Sequence, residues 1–353
     1  MRQDDDKKEK ETVAPHQLDQ LETLLEQGWE FLQTGRFAEA EQAARSALAV
    51  EPDLPDVFTL LGSIAAHQGD VEVALGHYEK ASALDPEFVQ PLLYAAELHF
   101  GVLEDPVGAM ELCERALEVA DEEDEYLDAL LLKAEIHISE EEEDDARKTL
   151  ADLPPSDYPE PVFHLRAGQA WLDLGDLDRA EKELGRAIAQ DDGFADAHYA
   201  LGLVHAERGR NERMIEAFVR VRELELAESP APWAIPRERF AALAENAHAE
   251  LPERVRELLA NVPILVEDYP SRGLVDDGQD PRMMGFFAGV PHPEATSVGG
   301  PPHLDHVILY QRNIERIGHT PEEVAEEIRV TLIHETGHFL GLSEDELEAM
   351  GLG

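Results

Sequence analysis

The chain has 353 residues, 43% of them hydrophobic, and carries 29 Lys and Arg against 77 Asp and Glu, a formal net charge of −48. That length calls for two domains, or one domain beside a repeat array, and the apolar share is enough to bury a core. So acidic a chain argues against general binding to phosphate backbones or anionic lipid, and the single cysteine, Cys113, rules out an internal disulfide and a cysteine-rich metal knuckle.

Residues 1–21 form a charged N-terminal tail with no apolar run behind Met1 to Lys8, and no stretch of about 18 uninterrupted apolar residues occurs anywhere. The expectation is a cytoplasmic protein without a signal peptide or transmembrane helix, with no nucleic-acid partner and no membrane partner.

From residue 22 to 228 the sequence repeats. Gly28, Ala40, Ala47 and Pro52 return as Gly62, Ala74, Ala81 and Pro86, each 34 residues on. Gly168, Ala180 and Ala187 fall on the same grid, and Gly202 follows Gly168 by 34 residues. Two degenerate units lie between, one with Ala96, Ala109 and Ala116, the other with Ala134, Ala146 and Leu153. Small residues at fixed places let two helices of a unit approach closely. Gly35, Gly69, Gly175 and Gly209 sit where the first helix must stop and the chain turn.

The pattern resembles tetratricopeptide repeats, with about six units. The resemblance implies an α-solenoid whose first helices line a concave groove for a protein or peptide ligand. The corresponding groove positions include Leu25, Thr59, Leu93, Leu131, Leu165 and Tyr199, none of them basic, which speaks against a clamp for chain-terminal carboxylates. Their other reading is inter-helix core, as most apolar residues of a solenoid are. The acidic runs Asp121 to Glu125 and Glu140 to Asp145 read as solvated loops between helices in preference to docking sites for a basic partner. Cys113 reads as buried filler.

Residues 229–239, with three prolines between Pro230 and Pro236, read as a stiff linker, and 240–353 as a second, α+β domain. Arg237 to Leu259 is predicted helical with a break at Pro252. Val262 to Val266 and Val307 to Tyr310 are predicted strands, with a third strand-like piece, Met284 to Ala288, inside a Gly- and Pro-rich stretch of loops over 270–303. Thr320-Pro321-Glu322-Glu323 then opens a helix predicted to run to about Leu340 and to stop at Gly341.

The chemistry lies at the end of that helix. His334 and His338 are four apart, so both imidazoles project from one face, a spacing that suits a single Zn²⁺. Glu335 is placed as general base toward a water beside the metal. Gly341 permits a sharp turn and Glu344 follows at the spacing of a third ligand, leaving a fourth position open. Asp345, the next residue, is the alternative ligand. His303 and His306 read as solvated loop histidines rather than a second site. Tyr310 reads as a packed strand tyrosine, with oxyanion stabilisation as its other role, and Met350 as packing.

From about Phe240 to Gly353 the chain is similar to the small bacterial zincin-like metallopeptidase family. The matching stretches are Leu251-Pro252, Asn261-Val262, Val266 to Pro270, Gly285 to Pro291, Ile308 to Tyr310 and His334 to Leu342. The resemblance implies a minimal zincin, a small sheet packed on the motif helix, hydrolysing peptide bonds of a peptide substrate. The family usually has Asp as third ligand where this chain has Glu344. The rival expectation is a non-catalytic scaffold or adaptor with a vestigial zinc-binding domain.

Overall fold

The computed structural model describes residues 15–155, 157–231, 233–251, 253, 256–257, 262–289, 304–318 and 320–340. The chain divides into two compact units between Gln190 and Asp191.

The first unit is a succession of antiparallel helix pairs. They are α1 (Pro15–Gln33) with α2 (Phe37–Val50), α3 (Pro55–His67) with α4 (Val71–Leu84), α5 (Gln90–Gly101) with α6 (Pro106–Val119), α7 (Glu123–Ser139) with α8 (Glu143–Ala151), and α9 (Pro161–Asp173) with α10 (Leu177–Gln190). The small residues of the 34-residue grid explain the pairing. Ala40, Ala47, Ala74, Ala81, Ala109, Ala116, Ala146, Ala180 and Ala187 are wholly buried. At Gly62 a Cβ would stand 2.4 Å from the Tyr78 ring, and at Gly168 2.6 Å from Leu184, so a larger residue would push the second helix away.

The turns obey the same grid. Gly35, Gly69, Gly175 and Gly209 have positive φ. In the two degenerate units the equivalent places hold Glu104 (φ 52°) and Glu141 (φ 59°), so the left-handed turn persists where glycine is lost, at a steric cost. The acidic runs are loops in their first half, as expected, with Asp121, Glu122 and Glu140 to Glu142 exposed between helices, and helical in their second. Glu123, Asp124 and Glu125 form the first turn of α7, and Glu143, Asp144 and Asp145 that of α8, where carboxylates complement the helix dipole.

Most residues expected to line the groove are core. Thr59, Leu93, Leu131 and Leu165 are buried, and Leu25 packs half-buried against the core shared by α1, α2 and α3. Cys113 is buried, as expected, and burial pushes its thiol up to about 12, which makes it unreactive. His164 and Glu183 form a buried pair in this unit. His164 Nε2 accepts from the Tyr158 amide at 3.2 Å, so Nδ1 carries the proton and donates to Glu183 Oε2 at 2.8 Å.

The second unit contains the last helix pair, α11 (Ala195–Glu207) and α12 (Asn211–Ala227), together with the C-terminal elements. These are α13 (Arg237–Glu250), β1 (Ile264–Glu267), α14 (Arg272–Asp276), β2 (Gly285–Gly289), β3 (Leu304–Tyr310), α15 (Gln311–Ile317) and α16 (Pro321–Leu340). The three predicted strands form one sheet in the order β1-β3-β2, with β1 parallel and β2 antiparallel to β3. The core joins Phe240, Ala244 and Ala247 of α13 to Val307 and Leu309 of β3 and to Val324, Ile328 and Leu332 of α16. Those last three recur every four residues, the stripe that lays α16 on the sheet. The predicted capping box is present: Thr320 Oγ1 accepts from the Glu323 amide and Glu323 Oε2 from the Thr320 amide, both at 3.2 Å. The short helix α14 lies in the stretch predicted as loops.

The Pro-rich segment is tied down. Trp233 Nε1 donates to the Glu315 carbonyl at 3.0 Å, the Ile235 amide donates to Glu315 Oε1 at 3.1 Å, and Gln311 Nε2 donates to the Ile235 carbonyl at 2.8 Å. The last helix pair is bound to the rest of its unit by charge. Glu225, 1% exposed, accepts from Arg282 Nε at 2.9 Å and from Arg316 Nη1 at 2.7 Å on one oxygen. Arg282 also pairs with Asp196, and Tyr199 donates to Asp280 at 2.7 Å.

Candidate metal centre

The motif residues lie on α16, which runs without interruption from Pro321 to Leu340. Residues 334 and 338 are therefore about one turn apart, a rise of about 6 Å, and share a face. Thr331 precedes Glu335 by four residues, so these two also form a row, beside the buried stripe. Thr331 is buried, whereas His334 and Glu335 are half-buried.

The row faces β2. A Cβ on Gly285 would stand 2.6 Å from Thr331 Cγ2, 3.0 Å from Glu335 Cγ and 3.3 Å from Glu335 Oε1. The strand passes beneath the Glu335 carboxylate only because residue 285 has no side chain. Sequence reasoning gave Gly285 no role of its own. The signal was there, since glycine inside a strand marks a close approach of backbone to something else.

Tyr310 ends β3, where its amide donates to the Met284 carbonyl at 2.8 Å. It is wholly buried, as a packed strand residue would be, and among the described residues its hydroxyl has no hydrogen-bond partner. Burial pushes the phenol above its ordinary value, and the carboxylates of Glu267 and Glu335 push it further. At neutral pH it is a neutral donor within the electrostatic reach of Glu335.

The remaining candidates divide by what the structure describes. His306 lies on β3, paired with Ala288 of β2, so it is a strand residue. The His338 side chain, and Glu344, Asp345, His303, Gly341 and Met350, lie outside the described residues. Among the described residues no three His, Cys, Asp or Glu side chains gather to hold a metal ion. What fits zinc is the donor chemistry. Two imidazole positions share one helical face, and a carboxylate beside them is seated in a cradle that a single Cβ would fill.

Family models match both parts of the chain. Tetratricopeptide-repeat models match residues 25–87, 103–172 and 165–224, and the zincin-like metallopeptidase model matches 259–353. The chain is a tetratricopeptide-repeat array followed by a zincin-like metallopeptidase domain. No curated protein matches it. Solved structures similar to the repeat array include a tetratricopeptide repeat protein from Parabacteroides merdae, 19% identical with TM-score 0.40, covering 68% of this chain and 97% of that one. PilF of Pseudomonas aeruginosa is 12% identical with TM-score 0.48, covering 60% and 95%. YrrB, described as a repeat protein with an unusual peptide-binding site, is 20% identical with TM-score 0.37, covering 53% and 94%. No described helix is long and apolar enough to cross a membrane.

Proposed function

We propose that the zincin-like domain is a zinc-dependent peptidase and that the repeat array holds a protein or peptide for it. The observation that carries this reading is the seating of Glu335 on α16 over the bare backbone of Gly285, one residue after His334 and on the helix that also bears His338. His334, His338 and Glu344, with Asp345 as the alternative to Glu344, would hold the zinc. When bound, it would supply a Lewis acid beside a water molecule and the scissile carbonyl. Glu335 takes a proton from the attacking water and delivers it to the departing amine nitrogen. Its half-buried seat keeps bulk water from competing for that carboxylate.

The test is Glu335→Gln in the full chain. Chelator-sensitive hydrolysis of a peptide library should fall by about 100- to 10,000-fold while zinc content is unchanged. Full activity in the variant would overturn the mechanism. Zinc binding without hydrolysis by the wild-type protein would leave a scaffold with a non-catalytic metal site.

A further inference from the structure

Between α1, α3, α4 and α5 lies an open recess of about 360 Å³, at the small end of the range for ligand-binding cavities. Trp29, Tyr78 and Tyr94 line it with Glu97. The Trp29 and Tyr94 rings lie 6.4 Å apart and tilted, and those of Tyr78 and Tyr94 5.8 Å apart. The Tyr78 hydroxyl is already hydrogen-bonded to Ser63 at 3.1 Å, so this wall offers ring faces more than polar groups.

Acidic groups extend from Glu97. Asp128 and Glu135 on α7 share one guanidinium, that of Arg166 on α9, at 2.7 and 2.9 Å. No hydrogen bond or ion pair holds Glu97 among the described residues. Its side chain is exposed, yet desolvation raises its carboxyl above the ordinary value. Asp128 and Glu135 raise it further, and Arg166 opposes them. The carboxylate is exposed and belongs to the lining of the recess. His67 is the one basic side chain in the lining, and the three acids Glu97, Asp128 and Glu135 around the single guanidinium of Arg166 leave the Glu97 side of the recess short of positive charge.

The last repeat shows what meets such a shortage elsewhere in the chain. Asp196 follows Asp128 by two 34-residue periods. In the second unit Arg282 pairs with Asp196 and lies 4.4 Å over the Tyr199 ring. A first-helix carboxylate beside an aromatic ring is there satisfied by an arginine, through charge and through the ring face together.

Resting on the reading of the array as a peptide binder, we propose that this recess takes a basic segment of a partner protein, with an arginine paired to Glu97 and stacked on the Tyr94 or Trp29 ring. A segment ending in a free carboxylate at the same place is repelled. Specificity comes from the unneutralised acid and the aromatic walls, and it is independent of whether the zincin-like domain turns over.

The experiment uses the full-length Glu335→Gln protein stripped of zinc, so that neither cleavage nor its absence affects the readout. The probe is a fluorescein-labelled decapeptide alternating Arg with Leu. The comparison probes replace each Arg by citrulline or by Glu. The arginine probe should bind, the citrulline probe at least about tenfold more weakly, and the glutamate probe not at all. Adding Glu97→Gln should cost the arginine probe about tenfold, with a melting temperature no lower than before, since the change removes a crowded charge. Asp144→Asn, which removes the same charge from the exposed first turn of α8, should cost less than twofold. Equal losses from Glu97→Gln and Asp144→Asn, or equal binding of the arginine and citrulline probes, would overturn the proposal. The attraction would then be the diffuse field of an acidic protein. A failure of the peptidase reading would show only as absent hydrolysis by the wild-type protein.

Discussion

The last repeat and the repeats before it use the same helix pair to different ends. In the last one, Asp196, Tyr199 and Glu225 are engaged by Asp280, Arg282 and Arg316, residues that follow the repeats in the sequence. In the earlier ones, Asp128 and Glu135 share Arg166 within the array, and Glu97 has no such partner. A 34-residue unit is therefore a structural part whose polar residues decide its role. With arginines supplied by its own unit it becomes part of the zincin-like body, and without them it keeps a surface that asks for positive charge.

The largest expected effect is at Glu225. Removing its carboxylate by Glu225→Ala leaves Arg282 and Arg316 without their shared buried partner, and the second unit should lose about 3–5 kcal/mol in denaturant unfolding. A loss below 1 kcal/mol would mean that the last repeat is only loosely tied to its unit.

The buried acid of the earlier repeats behaves differently, because its nearest partner is a histidine. Burial alone would raise the Glu183 carboxyl, but the bond from His164 and the charges of Arg186 and Lys182 outweigh it and hold the group below its ordinary value. A lowered folded value means that the stabilisation is fully present above the unfolded carboxylate range, about pH 4.3, and is lost as pH falls through the folded value. Glu183→Gln should therefore cost about 1.5–3 kcal/mol at pH 7 and progressively less in acid. A cost independent of pH would assign it to packing.

The smallest effect is at the turns. Glu141→Gly restores the glycine of the grid at a positive-φ position and should stabilise the array by up to about 1 kcal/mol, read as a rise in melting temperature. A fall would show that the Glu141 side chain contributes more than its backbone strain costs.

Much of the fold was legible in the sequence because its constraints are local. Alanines at 34-residue spacing predicted buried helix contacts, and the grid alanines are all fully buried. Short apolar runs rich in β-branched residues marked the strands, and Thr320 with Glu323 marked the start of α16. The choice between groove lining and inter-helix core stayed open in the sequence because a first helix has both a core face and an open face, and the repeat period alone does not separate them. Thr59, Leu93, Leu131 and Leu165 belong to the core face, whereas Trp29, Tyr94 and Glu97 border the recess. The union of the last repeat with its C-terminal neighbours was equally hidden, since Arg282 and Arg316 meet Glu225 from far along the chain.

In the candidate centre, the spacing of His334, Glu335 and His338 was visible because a helix turns every 3.6 residues. The part played by Gly285 was visible only in three dimensions, where β2 meets Thr331 and Glu335. Tyr310 showed its strand, but its buried hydroxyl without a partner among the described residues is a property of packing.

Elemental analysis of the purified full-length protein and of its His338→Ala variant bears most directly on the paired imidazoles. The wild type should carry about one zinc per chain and the variant almost none, because three protein ligands define such a site and two do not retain the ion through purification. Equal zinc in both proteins, or none in either, would contradict the account.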